Sequence, residues 1–188
     1  MKTRPFLIAT LISALLQGIY YVIITGISLL ILPRMLDSLM QDIPTSGGPP
    51  QSIFNFMGIS FLMGGIGLVL APIAYAGTGA LYAWLHRREE QPVTAEQGAL
   101  GGAAAAFTAR FAAGILVAIG SLLVSNLMTG TITNIIGGTP TATQYPFMYS
   151  VLNNMTSVMG SLMGACFGSV IAAMLGALGG ALTGAMLK

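Results

Sequence analysis

Hydrophobic residues dominate four long segments of the chain, separated by three shorter polar stretches. The apolar segments cover residues 6–32, 53–85, 98–128 and 147–187. Each is long enough for the roughly 20 helical residues that cross a bilayer core of about 30 Å. Proline and glycine punctuate the connections at residues 42–52 and 129–146, as is typical of loops. The pattern predicts an all-α, polytopic integral membrane protein, with four transmembrane helices in one domain over residues 1–188.

The low charge content supports a membrane environment. Only 6% of the residues are charged, against about 25% in a typical soluble domain. The net charge of +2 is too small and too scattered for a nucleic-acid-binding surface. One cysteine and one histidine cannot build a disulfide framework or a thiolate metal cluster within the chain. We therefore expect the lipid bilayer as the main partner, with no nucleic acid, metal or cofactor.

The first apolar segment follows two basic residues, as a secretory signal peptide would. Its 27 residues exceed the roughly 7–15 of a signal h-region, and no small-residue cleavage site with a polar flank follows it. We interpret it as a retained first transmembrane helix.

Basic residues predict the orientation of the helices. With the N-terminus inside, six of the seven Lys and Arg residues lie on or near the cytoplasmic side and only Arg34 lies outside, in agreement with the positive-inside rule. Both termini are then cytoplasmic, and we expect the protein in a bacterial inner membrane. The six residues are Lys2, Arg4, Arg87, Arg88, Arg110 and Lys188.

The two halves of the chain show a weak internal similarity. An offset of 100 residues places Leu62-Met63-Gly64 on Leu162-Met163-Gly164. This match raises the hypothesis of two tandem helical hairpins, residues 1–90 and 91–188, related by an axis along the membrane normal.

Small residues four positions apart are the most regular feature of the last two segments. Such residues let helix backbones approach closely, which drives helix association in lipid. The row in the fourth segment is Gly160, Gly164, Gly168, Ala172, Gly176, Gly180 and Gly184. The third segment has Gly98, Gly102, Ala106 and Gly114, with Arg110 at the remaining position.

A four-residue period does not follow one face of a straight helix. Each step advances by about 40° beyond a full turn, so that the row in the fourth segment winds about 240° around its helix. Either one partner crosses at a steep right-handed angle, or different neighbours contact different parts of the row. We favour the second arrangement, which makes the fourth helix the most buried and central one.

The first helix instead has one polar face. Six polar residues fall within an arc of about 140° at 100° per residue, and polar groups in lipid need internal partners. This face is expected to point into the bundle, either as interhelical hydrogen bonds or as the lining of a path for water or a ligand. The six are Ser13, Gln17, Tyr20, Tyr21, Thr25 and Ser28.

Arg110 is the only charged residue well inside an apolar segment. An intramembrane charge is a functional hypothesis by default, but three interpretations compete. The side chain snorkels to the cytoplasmic interface, it pairs with an interior group such as Gln17 or Tyr20, or it binds an anionic substrate.

Other candidate chemistry is sparse. All acidic residues lie in connections, which argues against a proton- or cation-coupled carrier and a rotor-ring subunit. No nucleophile–base pair can be assembled at one depth, so we expect no enzyme. Met155, Met159 and Met163 could offer soft ligands to Cu(I), although filling of the core explains them better. Tyr82 and Trp84 are expected in an interfacial aromatic belt, beside the helix-terminating His86.

Two functions remain. The leading hypothesis is a non-catalytic packing or assembly subunit, because the small-residue surface exceeds what four helices need among themselves. It would associate with itself or with other membrane-protein subunits. The alternative is a small channel or transporter with a path lined by the polar face of the first helix.

Overall fold

Four long helices make up nearly all of the described chain. The computed structural model describes residues 3–42, 51–88, 92–136 and 146–187, and no strand occurs among them. The helices are α1 (Thr3–Asp42), α2 (Gln51–Arg88), α3 (Ala95–Ile136) and α4 (Pro146–Met186).

Each helix includes an apolar segment long enough to cross a membrane. These segments are Thr3–Ile31, Gly65–Arg88, Ala95–Leu123 and Val158–Met186. The protein is therefore all-helical, with four candidate membrane-spanning helices. The expected class of multi-pass membrane protein agrees with this architecture.

A capping box defines the start of α3. The backbone N–H of Gln97 donates to Thr94 Oγ1 over 3.2 Å, and the backbone N–H of Thr94 donates to Gln97 Oε1 over 3.4 Å. These reciprocal bonds satisfy two donors that the first helical turn would otherwise leave without partners. The short connection after α2 thus leads directly into the next membrane-crossing helix.

Small residues occupy the interior and large apolar residues cover the exterior. Ala9, Ala105, Ala109 and Ala172 are completely buried, while Leu68 and Leu178 are among many exposed aliphatic side chains. A soluble protein buries Leu, Ile and Phe preferentially. The reversed distribution fits an exterior solvated by lipid tails, where helix association relies on close packing rather than on the hydrophobic effect.

Helices α3 and α4 form the largest interface of the bundle. They meet through pairs that step by four residues along both helices in opposite directions. A Cβ atom added to Gly180 would lie 2.0 Å from the Gly98 carbonyl oxygen, and one added to Gly176 would lie 2.5 Å from that of Gly102. The successive pairs from one end to the other are Gly184 with Thr94, Gly180 with Gly98, Gly176 with Gly102, Ala172 with Ala106, and Gly168 with Arg110.

Helix α2 joins this interface at its tightest point. A Cβ atom on Gly79 would lie 1.9 Å from the Gly176 carbonyl oxygen, and one on Gly102 would lie 2.8 Å from the Gly79 Cα atom. Glycines from three helices therefore meet backbone to backbone. No other residue type leaves enough room at this junction.

The expectation that different neighbours divide the α4 row between them is wrong for its larger part. Helix α3 follows the row from Gly168 to Gly184, about 24 Å at 1.5 Å per residue. The reason is that α3 carries its own row of the same period, so both rows drift around their helices equally. Two helices with matched drift stay in contact by winding around each other.

Helix α4 is not the most buried and central helix. Both α2 and α3 pack against each of the other three helices, whereas α4 packs mainly on α3 and α2. In the membrane-spanning windows, 17% of the α4 residues are buried, against 28% in each of α2 and α3. At the N-terminal end of the α4 row, Gly160 and Gly164 have no described group within 4 Å of an added Cβ atom.

Tyr82 does not lie in an exposed aromatic belt. Its side chain is 1% exposed and packs with Ala9 and Ala105 in a core cluster. Gly101 makes this position available, because an added Cβ atom there would lie 1.9 Å from the Tyr82 ring. Trp84 does lie on the surface, where the Arg88 guanidinium stacks on its ring at 4.0 Å.

Substitution of the paired glycines tests the α3–α4 interface. Gly180→Ala should destabilise the protein by about 1–3 kcal/mol, the usual cost of overpacking, because the new methyl group would meet the Gly98 backbone. Gly164→Ala on the same helix meets open space and should cause no loss. Unfolding in detergent, followed by circular dichroism, measures both. Equal stability of the two variants would contradict this packing.

Candidate functional site

Residues of all four helices line a cavity of about 780 Å³. The cavity opens to the exterior of the bundle, where its lining residues Leu16, Leu68 and Ile73 are exposed. Its polar lining consists of Gln17, Tyr20 and Tyr21 from α1, Tyr75 from α2 and Arg110 from α3. Aliphatic residues, glycines and a proline form the remaining wall, to which α4 contributes Gly168, Ile171 and Leu175. The volume falls within the roughly 300–1,000 Å³ typical of small-molecule sites.

The cavity lies near the middle of the membrane-spanning segments. Arg110 is the sixteenth of the 29 residues in the Ala95–Leu123 span, and Gln17 is the fifteenth of the 29 in Thr3–Ile31. Gly168 is the eleventh residue of the Val158–Met186 span. The polar lining is therefore remote from both ends of the spans.

The first part of the α1 polar face binds α2. Ser13 and Thr78 share a hydrogen bond of 2.6 Å between their hydroxyl groups, and Thr78 donates to the Ala74 carbonyl over 2.8 Å. Gln17 Nε2 donates to Ser13 Oγ over 3.1 Å, while Gln17 Oε1 is buried and accepts no hydrogen bond from the described residues. Ser13 thus serves interhelical association, and Gln17 connects this hydrogen-bonded group to the cavity.

The two tyrosines of α1 belong to the cavity itself. Their rings meet edge to face with centroids 5.6 Å apart. The Tyr20 hydroxyl approaches Gly67 of α2, where an added Cβ atom would lie 3.2 Å from it. Farther along α1, Thr25 lies opposite Gly120 of α3, and the side chain of Ser28 lies outside the described residues.

Arg110 points between the helices. Its Nη1 donates a hydrogen bond to the Tyr21 hydroxyl, and its guanidinium carbon lies 5.2 Å from the centre of the Tyr21 ring. The interior partner is therefore Tyr21, rather than Gln17 or Tyr20. Arg110 Nε is buried and makes no hydrogen bond within the part of the chain that the structure describes.

Gly168 of α4 makes room for this arginine. A Cβ atom added to Gly168 would lie 2.9 Å from Arg110 Nε and 3.3 Å from Nη2. The two rows of small residues thus continue up to the point where the arginine takes the place of a small residue in α3. At that point Gly168 of α4, which has no side chain, leaves space for the large side chain of Arg110 of α3.

Tyr75 is the polar cavity residue that the sequence analysis missed. Tyr75 is 7% exposed and packs with Ala106 and Ala172. Its position in a small-residue-rich part of α2 is the only sequence signal that could have revealed it. Pro72 also lines the cavity, and since proline has no N–H it leaves the Leu68 carbonyl without its usual helical donor.

The methionine row does not take part in this site. Met155, Met159 and Met163 are each more than half exposed on α4, and Cys166 is also exposed. His86 is buried beside Tyr82, with ring centroids 5.8 Å apart, near the end of α2. These residues lie apart from the cavity lining.

Comparisons with protein-family models, with curated proteins and with solved structures gave no match. The function is therefore inferred from the residues of the chain itself.

A double-mutant cycle tests the hydrogen bond that joins α1 to α2. Ser13→Ala and Thr78→Val each remove one partner of the buried pair. The coupling energy should be about 0.6 kcal/mol, the average for interhelical hydrogen bonds in membranes. Unfolding of both single variants and the double variant in detergent measures it. Strictly additive effects would mean that this bond does not contribute.

Proposed function

We propose that the protein is a non-catalytic integral membrane protein that binds and passes a solute through the cavity between its helices. This is the function of a small transporter or channel, with Gln17, Tyr20 and Tyr21 of α1 on its path. The observation that carries the proposal is the convergence of the α1 polar face and the one mid-span charge on a single cavity.

The proposal includes a bundle with both termini on the cytoplasmic side of a bacterial inner membrane. With Arg110 set aside as an interior residue, five of the remaining six Lys and Arg residues lie on the cytoplasmic side in this orientation. The positive-inside rule supports the assignment. The two tandem hairpins, residues 1–90 and 91–188, remain a hypothesis about the origin of the bundle.

The use of the small residues favours this function over the assembly subunit. Surplus small-residue surface was the reason to expect an assembly role. In the described chain, Gly176, Gly180 and Gly184 contact α3, and Gly179 contacts Ala76 of α2. Most of that surface is therefore occupied within one chain.

One part of α4 supports the second candidate function, which is assembly with other membrane helices. Gly160 and Gly164 are exposed, and no residue in the described part of the chain lies within 4 Å of an added Cβ atom. This end of the α4 row is free for a helix of a second copy or of another membrane subunit. Self-association and passage of a solute are compatible in one protein.

Cysteine labelling tests the path, in a Cys166→Ser background. We expect Tyr20→Cys, in the cavity, to react with a small charged thiol reagent several-fold faster than Ile19→Cys, its neighbour on the outer surface. Water access favours the reactive thiolate. A path requires labelling from both sides of the membrane, measured in vesicles of each orientation. Equal rates at the two positions would contradict the proposal.

Glu90→Cys should react only from the cytoplasmic side, which tests the orientation.

Enlargement of the free end of the row tests assembly. Gly164→Leu should lower the apparent mass in mild detergent, because a large side chain prevents close approach of a second helix. Ser161→Leu is unsuitable as a control, since Ser161 donates to Ser121 of α3. Gly77→Leu, another position with open space around it, provides the control. An unchanged mass for Gly164→Leu would count against an interface there.

A further inference from the structure

The cavity combines one cation with an otherwise mostly apolar wall. Among the described residues that line it, Arg110 is the only charged one and none is acidic. The phenols of Tyr21 and Tyr75 and the amide of Gln17 are polar side chains of the lining that suit recognition of a small head group. The aliphatic remainder suits an alkyl chain.

The charge of Arg110 is only partly compensated within the chain. A guanidinium offers five N–H donors, and Nη1 is used by Tyr21 while Nε is buried without an acceptor. A charged side chain at mid-span is costly unless an opposite charge or strong acceptors meet it. Because the lining lacks an acidic residue, an anion from outside the chain is the complementary partner.

A carboxylate has the matching shape. Arginine binds carboxylates through two parallel N–H···O bonds. The Tyr75 hydroxyl, in the same lining, adds a donor.

The size of the cavity suits one alkyl chain. At roughly 30 Å³ for each water-sized group, about 780 Å³ holds on the order of 25 groups. A long-chain fatty acid has about 20 non-hydrogen atoms and fits this volume. A two-chain phospholipid has about twice as many atoms as the cavity can hold.

We infer that the cavity binds a long-chain fatty acid, with its carboxylate on Arg110 and its alkyl chain along the apolar wall of α2 and α4. The inference deepens the proposed function, on which it rests, by naming the class of substrate. Gly168 is then a positioning residue, since the space it leaves sets where the guanidinium lies.

Native mass spectrometry of the full chain in neutral detergent micelles tests this inference, with palmitate as the probe. One palmitate should bind per chain. Arg110→Gln should weaken binding roughly ten- to a hundredfold, the loss expected for hydrogen bonds to a charged group. Hexadecanol has the same chain without the charge and should bind similarly weakly to both proteins.

Gly168→Ala provides a second variant that does not remove the arginine. The added methyl group meets the flexible end of the Arg110 side chain rather than backbone, so the fold should persist while palmitate binding weakens severalfold. Gly164→Ala, one turn away with open space around it, should bind palmitate as the unmodified chain does. Circular dichroism establishes that each variant is folded.

Three results would overturn the inference. The first is no palmitate binding by the folded, unmodified chain. The second is equal binding of palmitate and hexadecanol, which would mean that no head group is recognised. The third is Arg110-dependent binding of phosphatidylglycerol in preference to palmitate, which would assign the cavity to a phospholipid. If palmitate binds while cysteine labelling finds access from one side only, the ligand assignment stands and the proposed passage across the membrane does not.

Discussion

Backbone contact between α3 and α4 is the constraint on which the rest of the structure depends. In lipid, two helices gain no hydrophobic free energy by meeting, so the contact must come from close van der Waals packing. Glycine supplies that closeness at Gly98, Gly102, Gly176 and Gly180. The cost of glycine in a helix, roughly 1 kcal/mol relative to alanine in water, is offset by contact area that a larger residue would prevent.

The same packing determines where polar groups can lie. Tight contact with α4 excludes large side chains at the α3 contact positions Gly98, Gly102 and Ala106. At Arg110 the α3 row of small residues is interrupted, and Gly168 leaves the space that the guanidinium needs. The cavity, with the tyrosines of α1 and α2 around it, thus begins where the closest packing ends.

Sequence reasoning predicted the helices and the inward orientation of most of the α1 polar face. Of the small-residue rows, Gly98 to Ala106 and Gly168 to Gly184 lie in the main interface, whereas Gly160 and Gly164 do not. Sequence reasoning did not predict that the rows of α3 and α4 pair with each other, because the path of one row around its helix does not reveal which neighbouring helix lies beside it. Arg110 was recognised as unusual, but its partner Tyr21 and the nearby Tyr75 could be assigned only with the helices in place. Tyr82 belongs to a residue type that is common at membrane interfaces. Its burial depends on the space that Gly101 of α3 leaves for its ring.

The sequence by itself determined the solvent and the class of fold, because long apolar segments with few charges can satisfy their backbone in lipid only as helices or closed barrels, and their length is that of helices. It also determined that small residues, and not Leu or Phe, would form the contacts. The tertiary structure alone decided that α2 and α3 each pack against all the other helices, that the small-residue rows of α3 and α4 pair with each other, and that the mid-span arginine faces a cavity. These features depend on how residues far apart in the chain align, and no local pattern encodes that alignment.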